Sequence, residues 1–348
     1  MPGVDRPLRV AVLNDYSIPE AVRLASLKRY PAHHTWGVSL LASHGVQCVL
    51  SPSHGAGLKG SLKNQLALLW RQHRFDVVYS ACQSETWLLA RLRRLGLFRR
   101  PLVAIVHHPI TGRVRGGPAF VEGHDRLLFL SQKVRDQTVA EHPAMKDRCE
   151  TLPWGVDAAF YTQPSTEQHA FGHGYFVSAG KANRDHQALA ECAIEGGHPT
   201  VIICSADTLP SAPPSPHVTV VHDATGHGAA YTQLIGVFRD ARAIVIPLMD
   251  VGLMAGLTSL LDAMACGKPV IMTRNLFIDL DIEALGFGIW VPAGDRAALG
   301  QAMARLAQDD ALVHAMGAKA RAFAQAHYSH EAFSAHIAEV LRAAADSA

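Results

Sequence analysis

The sequence predicts an α/β protein with two parallel sheets, and three observations lead to this prediction. The chain has 348 residues, of which 49% are hydrophobic and 18% charged, a balance typical of folded proteins. Short runs rich in Val and Ile alternate with longer stretches of helical spacing, as in βαβ units. This alternation stops once and then restarts, so two domains are expected.

The first half contains five short apolar runs that are typical of buried strands. They lie at residues 8–13, 46–50, 76–80, 102–108 and 126–131. Helical spacing separates them at residues 36–43, 62–74 and 86–97. The pattern predicts a Rossmann-like domain over residues 1–155.

A segment rich in Pro, Gly and small polar residues, 152–169, precedes the second half. Further strands are predicted at residues 175–180, 200–205, 218–223, 243–248, 269–273 and 288–292. Ala-rich stretches with helical spacing follow at 297–306, 311–326 and 331–344. We expect a second Rossmann-like domain over residues 156–348, and its last helix has the alternative of packing back on the first domain.

Charge is divided unequally between the halves. Residues 1–150 contain 21 Lys and Arg against 11 Asp and Glu, whereas the remainder contains 11 against 19. The basic first half favours an anionic partner. Six scattered cysteines indicate a reducing compartment, and no apolar run approaches the roughly 18 residues of a membrane span. We expect a cytoplasmic protein, with peripheral attachment to the inner face of the membrane as an alternative.

The most specific motif is AGLTSLLDAMACGKPVIMT at residues 255–273. A strand runs into a Gly-containing loop, after which Thr258 or Ser259 is predicted to cap a helix. The unpaired N–H groups at such a helix start bind phosphate. Asp262 lies about one turn further and is predicted to accept hydrogen bonds from a ribose diol. Gly267 and Pro269 are predicted to end the helix.

This stretch resembles the signature of GT-B fold glycosyltransferases, the retaining "glycosyl transferases group 1", which are family 4-like. Residues 152–161 resemble the interdomain segment of that family, 176–186 its first C-domain strand and basic loop, and 29–50 its first N-domain helix. The resemblance implies two Rossmann-like domains facing each other across a cleft. It also implies an acceptor-binding N-domain and a C-domain that binds a nucleotide-diphospho-sugar donor, with a UDP-sugar as the default.

The resemblance extends to individual donor-binding residues. Gly180, Lys181 and Arg184 match the family residues that neutralise the donor diphosphate. The backbone of the helix start completes this predicted site, at Gly256, Leu257, Thr258 and Ser259. Asp262 matches the second Glu of the family signature, but Met254 stands where the first Glu belongs. Asp250 is a candidate replacement four residues out of register, so the choice between retention and inversion stays open.

Candidate catalytic residues lie in the first half, where two histidine pairs follow predicted elements. His107 and His108 end a strand, and one of them resembles the strand-end His of the family. His33 and His34 form the second pair, and we take His34 as its candidate. A His with a pKa near neutrality is suited to act as a general base; Asp15, after the first strand, is an alternative base. No third ligand has metal-site spacing, so we expect no essential metal and no cofactor.

Two further patterns concern partners. Residues 55–60 match GxGxxG, but they follow the second strand without the expected acidic residue, so a loop is favoured over a dinucleotide site. Residues 88–101 carry five arginines among leucines, with Lys59, Lys63, Arg71 and Arg74 before them. This pattern predicts an anionic membrane surface as partner or a solvated helix face. Nucleic acid is not expected, because no aromatic stacking platform accompanies the charge.

Taken together, the sequence predicts a glycosyltransferase that moves a sugar from a nucleotide-diphospho-sugar to an acceptor hydroxyl. The acceptor alternatives are a lipid-linked or cell-surface glycan and a small molecule. Two other functions fit the same pattern: a nucleotide-sugar epimerase of the same fold, and a catalytically silent protein that binds a nucleotide sugar.

Overall fold

The computed structural model describes residues 6–50, 57–110, 117–164, 169–211, 213–222 and 231–347. The chain forms two compact units. The first unit comprises Met1–Lys28, Ala32–Gly155 and His330–Ala348, and the second comprises Arg29–Pro31 and Val156–Ser329. Each unit contains one six-stranded parallel sheet with helices, as predicted.

The sheet of the first unit has the strand order β2-β1-β3-β4-β5-β6. Its strands are β1 (Leu8–Leu13), β2 (Val46–Leu50), β3 (Val77–Ser80), β4 (Leu102–Val106), β5 (Arg126–Phe129) and β6 (Cys149–Thr151). The five predicted strands are confirmed, and β6 was missed because it has only three residues, two of them polar. From β1 the chain goes first to β2 on one side and then to β3 on the other. A crevice at the carboxyl ends of β1 and β3 therefore has the topology of a ligand site.

Six helices of the first unit lie between these strands: α1 (Ile18–Ser26), α2 (Val38–Leu41), α3 (Leu58–Trp70), α4 (Trp87–Arg94), α5 (Pro118–Glu122) and α6 (Gln132–Glu141). The prediction of a first helix at 36–43 is wrong, since α1 precedes it and only the short α2 and 3-10 turns occupy that stretch. The predicted loop at 55–60 is partly helical, because α3 begins at Leu58; residues 55 and 56 lie outside the described residues.

The sheet of the second unit has the order β12-β11-β10-β7-β8-β9. Its strands are β7 (Phe176–Gly180), β8 (Thr200–Cys204), β9 (Val218–His222), β10 (Ala243–Ile246), β11 (Val270–Thr273) and β12 (Gly288–Val291). All six predicted strands are confirmed within two residues at either end, although residue 223 lies outside the described residues. The order reverses between β7 and β10, so the carboxyl ends of these two strands form the corresponding crevice of this unit.

The helices of the second unit are α7 (Ala158–Thr162), α8 (His186–Gly196), α9 (Tyr231–Asp240), α10 (Leu257–Cys266), α11 (Arg296–Gln308) and α12 (Asp310–His327). Four of them begin with an Asp whose carboxylate accepts a hydrogen bond from the N–H three residues on, the preferred N-cap chemistry. These caps are Asp157, Asp185, Asp295 and Asp309. Helix α10 begins differently, as described below.

The last helix, α13 (His330–Asp346), belongs to the first unit although it follows the second unit in sequence. It contacts α2, β3 and β4. Ser334 Oγ donates to the Gly37 carbonyl oxygen at 2.9 Å, and a Cβ on Gly37 would lie 3.3 Å from Ser334 Cα. Gly37 has a φ of +82°, so this close approach and the left-handed backbone both favour glycine there.

Candidate functional site

Two loops of the second unit meet where its sheet changes direction. One follows β7 and carries Lys181 and Arg184; the other follows β10 and leads into α10. Asn183 joins them, because its Nδ2 donates to the Asp250 carbonyl oxygen at 2.7 Å and its Oδ1 accepts from the Asp250 N–H at 2.7 Å. Sequence reasoning missed Asn183; its only local signal is a residue type that tolerates a left-handed φ, here +53°.

Arg184 is buried against the start of α10, with 8% of its surface exposed. Its Nη2 donates to Ser259 Oγ at 3.0 Å, and its Nη1 donates to the Ala182 carbonyl oxygen at 3.2 Å. Its Nε has no hydrogen-bond partner among the described residues. Burial lowers the pKa of Arg184 to about 10, so the guanidinium still carries its charge at neutral pH.

Gly180 makes this position of Arg184 possible. A Cβ at residue 180 would lie 2.7 Å from Arg184 Nε and 2.9 Å from its Cγ, which is closer than carbon and nitrogen atoms approach. The neighbouring Lys181 is exposed, and its carbonyl oxygen accepts a 2.6 Å hydrogen bond from Ser205 Oγ. The predicted glycine and two cations thus lie together at the end of β7.

The N-cap of α10 is Gly256, so the prediction that Thr258 or Ser259 caps this helix is wrong. Gly256 has a φ of +86°, and a Cβ there would lie 2.7 Å from Met272 Cε. This packing requires glycine and overrides the usual Ser or Thr preference. No side chain caps the helix, so the N–H groups of its first turn, including those of Leu257 and Thr258, have no partner within the helix. The helix ends at Gly267 in the left-handed conformation, as predicted.

Two residues near the missing acidic position are fixed by the fold. Met254 is buried, with 6% of its surface exposed. Asp250 is exposed, and its Oδ1 accepts from the Gly252 N–H at 2.7 Å, so this carboxylate stabilises the turn of its own loop. Neither side chain supplies a carboxylate at position 254 of the motif.

Asp262 lies inside the second unit, with 5% of its surface exposed. The Tyr161 hydroxyl from α7 donates a hydrogen bond to its Oδ1. Burial raises the pKa of Asp262 to about 7, and the hydrogen bond from Tyr161 opposes this shift. Tyr161 was not predicted, because it lies 101 residues away in the sequence.

In the first unit, the Gln83 side chain fixes the predicted His107–His108 pair. Gln83 Oε1 accepts from the N–H groups of His107 and His108 at 2.7 and 2.9 Å, and its Nε2 donates to the His108 carbonyl oxygen at 3.2 Å. His107 Nε2 lies 2.7 Å from the Ala81 carbonyl oxygen; because a carbonyl only accepts, Nε2 carries the proton. Burial lowers the pKa of His107 to about 4, so the expected pKa near neutrality is wrong for this residue.

Three of the predicted histidines surround a pair of tryptophans. The rings of Trp36 and Trp154 stack at 4.3 Å. The His107 ring lies 4.7 Å from Trp36, and the rings of His33 and His34 lie 5.3 and 5.4 Å from Trp154. Burial lowers the pKa of His34 to about 3. These histidines are neutral at pH 7 and are suited to hydrogen bonding; the tryptophans were not predicted.

Asp15 and His108 lie apart from this aromatic cluster. Asp15 is exposed after β1, where partial burial of its carboxyl group raises its pKa. It neighbours the Cys82 and Glu85 side chains that follow β3, because its charge raises the pKa of both groups. His108 is exposed at the end of β4. Thus the structure places all four predicted catalytic residues at carboxyl ends or loops of the first unit, but not in one cluster.

Comparisons with known proteins agree with this architecture. The family model described as Glycosyltransferase Family 4 matches residues 25–160, and that described as Glycosyl transferases group 1 matches residues 176–309. Together they match well over half of the chain. No curated protein matches the sequence.

Several solved structures share the fold. HepE from Anabaena, in complex with UDP, has a TM-score of 0.65 at 14% identity, covering 97% of this chain and 100% of that one. Sucrose-phosphate synthase from Thermosynechococcus elongatus has a TM-score of 0.68 at 14% identity, covering 98% and 100%. WaaG, a glycosyltransferase involved in lipopolysaccharide biosynthesis, has a TM-score of 0.60 at 13% identity, covering 96% and 99%.

Two parallel sheets of this topology and two matching family models define a glycosyltransferase of the GT-B fold. The chain belongs to the group 1 glycosyltransferases. Within the part of the chain that the structure describes, no helix combines the length and apolar character needed to cross a bilayer.

Proposed function

We propose that this glycosyltransferase binds a nucleotide-diphospho-sugar in its second unit and transfers the sugar to an acceptor hydroxyl. The observation that carries the proposal is the buried Arg184, bonded to Ser259 in the first turn of the uncapped helix α10. Among the described residues no carboxylate forms an ion pair with Arg184. A buried cation without an anion is costly, and a bound diphosphate would compensate it.

The diphosphate would be held by three kinds of group. Arg184 and Lys181 supply charge, and the N–H groups at the start of α10, around Gly256, Leu257 and Thr258, supply hydrogen bonds aligned with the helix dipole. During transfer the bond between the anomeric carbon and the diphosphate oxygen breaks, so negative charge grows on the leaving nucleotide. Fixed cations and amides stabilise that charge more than they stabilise the intact donor.

A UDP-sugar is the donor that we test first. HepE, which shares the fold, has been solved with UDP and with UDP-glucose. In this proposal Asp262 accepts a hydrogen bond from the ribose. In the first unit, neutral His107 or His108 hydrogen-bonds the sugar or acceptor, and Asp15 and His34 are the other candidates for accepting the proton of the acceptor hydroxyl.

The donor proposal is tested by thermal stabilisation of the full chain with UDP, GDP and ADP. A nucleotide at 100 times its dissociation constant should add about 2.7 kcal/mol to the free energy of unfolding. UDP should stabilise the protein, and UDP-glucose or another UDP-sugar should release UDP when an acceptor is present. No stabilisation by any of the three nucleotides would refute the proposal.

We also propose that the first unit contacts an anionic membrane surface, through which a lipid-linked or cell-surface acceptor would be reached. Helix α3 presents Lys59, Lys63, Leu66 and Trp70 at helical spacing, and Trp70 is 81% exposed. Gln72 joins this region to the segment after α4, since its Oε1 accepts from the Arg99 N–H and its carbonyl oxygen accepts from Arg100 Nε.

Exposed apolar residues next to exposed cations are typical of surfaces that bind anionic lipid. After α4, Leu95 and Leu97 are 65% and 62% exposed, and Arg91 and Arg99 are exposed beside them. Arg93 is different, because it pairs with Asp125 at 2.6 Å and serves the fold.

Vesicle sedimentation tests the membrane proposal. Vesicles of phosphatidylglycerol should bind the full chain, vesicles of phosphatidylcholine should not, and Trp70→Ser should weaken binding by about tenfold. The matched control is Trp290→Ser, in the second unit. Equal binding to both lipids, or none to either, would refute this part.

A further inference from the structure

The carboxyl ends of β1 and β3 carry polar residues for which the donor site has no use. Asn14 and Asp15 follow β1, and the segment from Cys82 to Glu85 follows β3. Leu13 pairs with Ser80, so the two segments leave the sheet side by side. This is the position where the strand order of the first sheet reverses, and in open α/β sheets such positions bind ligands.

Two buried polar atoms at these strand ends lack a hydrogen bond. Glu85 is 2% exposed and Asn14 is 5% exposed. Glu85 Oε2 and Asn14 Nδ2 have no hydrogen-bond partner among the described residues. Each such atom costs about 1–3 kcal/mol when it stays unpaired, so a fold keeps it where something else completes the bond.

Helix α3 turns a polar face toward the same place. Ser61, Asn64 and Gln65 are buried, in a position where a helix on a sheet normally packs apolar side chains. Gln65 Oε1 accepts from the N–H groups of Leu88 and Leu89 at 2.8 and 3.1 Å and so serves the start of α4. Ser61 and Asn64 face the Glu85 carboxyl group and lower its pKa, while burial, the larger effect, raises it.

We propose that Glu85 and Asn14 form a subsite for a neutral sugar, with Glu85 Oε2 accepting a hydrogen bond from a sugar hydroxyl and Asn14 Nδ2 donating to a sugar oxygen. The subsite deepens the proposed function, because it gives the acceptor a chemical class. Asp15 lies at the exposed rim, close enough for its charge to act on Glu85.

The groups present select among ligand classes. A sugar hydroxyl both donates and accepts, so one ring can satisfy both unpaired atoms. An ammonium group only donates and would leave Asn14 Nδ2 unpaired. A phosphate or carboxylate would meet two acidic side chains, Glu85 and Asp15, and like charges at this distance repel. The subsite therefore favours an uncharged saccharide over an amino sugar or a sugar phosphate.

The test is titration of the full chain with methyl glycosides of glucose, galactose, mannose and N-acetylglucosamine, followed by ligand-observed NMR. Glucosamine and glucose 6-phosphate are the charged probes. We expect at least one neutral glycoside to bind more tightly than both charged probes. Glu85→Met and Asn14→Leu, which keep volume but remove the polar atoms, should each weaken that binding by about tenfold or more.

Two controls show whether a loss of binding is specific to these side chains. Glu141→Met, on the exposed face of α6, should leave glycoside binding unchanged, and UDP affinity should be the same in all variants. Because Glu85→Met removes an unsatisfied buried atom, its melting temperature should not fall, whereas a purely structural Glu85 predicts a large fall. Should either apolar variant not fold, Glu85→Gln and Asn14→Ser replace it, with the same expected weakening.

The outcomes are distinguishable from those of the donor proposal. Wild-type protein that binds none of the neutral glycosides, with or without UDP, overturns the subsite even if UDP binds. Tighter binding of glucosamine, or unchanged glycoside binding in folded Glu85 variants, overturns it as well. Glycoside binding in a protein that ignores UDP would instead support the subsite and refute the donor.

Discussion

Asn183 holds Asp250 by both sides of its peptide backbone, donating to the carbonyl oxygen and accepting from the N–H at 2.7 Å each. The two residues are 67 positions apart in sequence. Their contact fixes the loop that carries Lys181 and Arg184 to the loop that leads into α10. The cations and the helix start are thereby placed before any ligand arrives, which reduces the cost of ordering them on binding.

Replacing Asn183 should weaken nucleotide binding without unfolding the protein. Asn183→Gly keeps the left-handed backbone but removes both hydrogen bonds, each contributing about 1 kcal/mol. We expect the dissociation constant of UDP, measured by calorimetry, to rise by about tenfold. Asn183→Asp keeps the accepting oxygen and should show a smaller effect. Equal affinity in wild type and Asn183→Gly would contradict the positioning role.

Arg184 should trade stability for function. Arg184→Met removes a buried charge that has no carboxylate partner among the described residues, so the free energy of unfolding should rise by about 1 kcal/mol or more. The same variant should lose most of its stabilisation by UDP. Arg305→Met, at an exposed position of α11, should change neither quantity. A destabilised Arg184→Met that still binds UDP would contradict both expectations.

The stability of the second unit should depend on pH through Asp262. Burial raises the pKa of this carboxyl group to about 7, whereas an Asp in an unfolded chain titrates near 4. Its contribution is therefore fully present below about pH 4 and is lost as the pH rises through 7. Asp262→Asn should exceed wild type in urea unfolding by a margin that grows from pH 5 to pH 8. The margin for exposed Asp207→Asn should stay constant; a constant margin for Asp262→Asn would refute the buried, protonated state.

The low pKa of His107, about 4 because of burial, predicts a pH profile without a histidine step near 6.5. Release of UDP from a UDP-sugar should be insensitive to the ionisation of this residue between pH 6 and 8. His107→Gln should lower turnover at all pH values in that range by a similar factor. A step near 6.5 in wild type that disappears in His107→Gln would show that the ring titrates during the reaction.

Chelation should leave the enzyme active. Lys181 and Arg184 supply the positive charge that a divalent ion would otherwise bring to the diphosphate. Turnover in EDTA should match turnover in buffer, and added Mg²⁺ or Mn²⁺ should raise it less than twofold. Loss of activity in EDTA that is restored by either metal would contradict the prediction of no essential metal.

The strands were predictable because strands that are buried on both faces are short apolar runs. Val77, Val78 and Leu102 are fully buried, and their periodicity alone places them. The motif at 255–273 also located the helix start, although its cap was assigned to the wrong residues. Gly256 holds that position because Met272 and Ile246 pack against it, and packing of this kind is absent from a local pattern.

Contacts between distant residues could not be predicted from the sequence. Gln83 fixes His107, 24 residues away, and Trp36 stacks on Trp154. These side chains have no sequence spacing that marks them as partners. Glu85 and Asn14 likewise become notable only when burial and hydrogen bonding are known, because an isolated Glu or Asn in a loop is ordinarily solvated.

The placement of α13 affects the order in which the chain can fold during synthesis. This helix packs on β3 and β4, yet the ribosome makes it only after every residue of the second unit. The second unit can therefore reach its native structure while the first still lacks one of its helices. A stop codon after residue 329 would remove that helix and leave the neighbouring strands uncovered, so we expect such a truncation to aggregate through the earliest-made part of the protein.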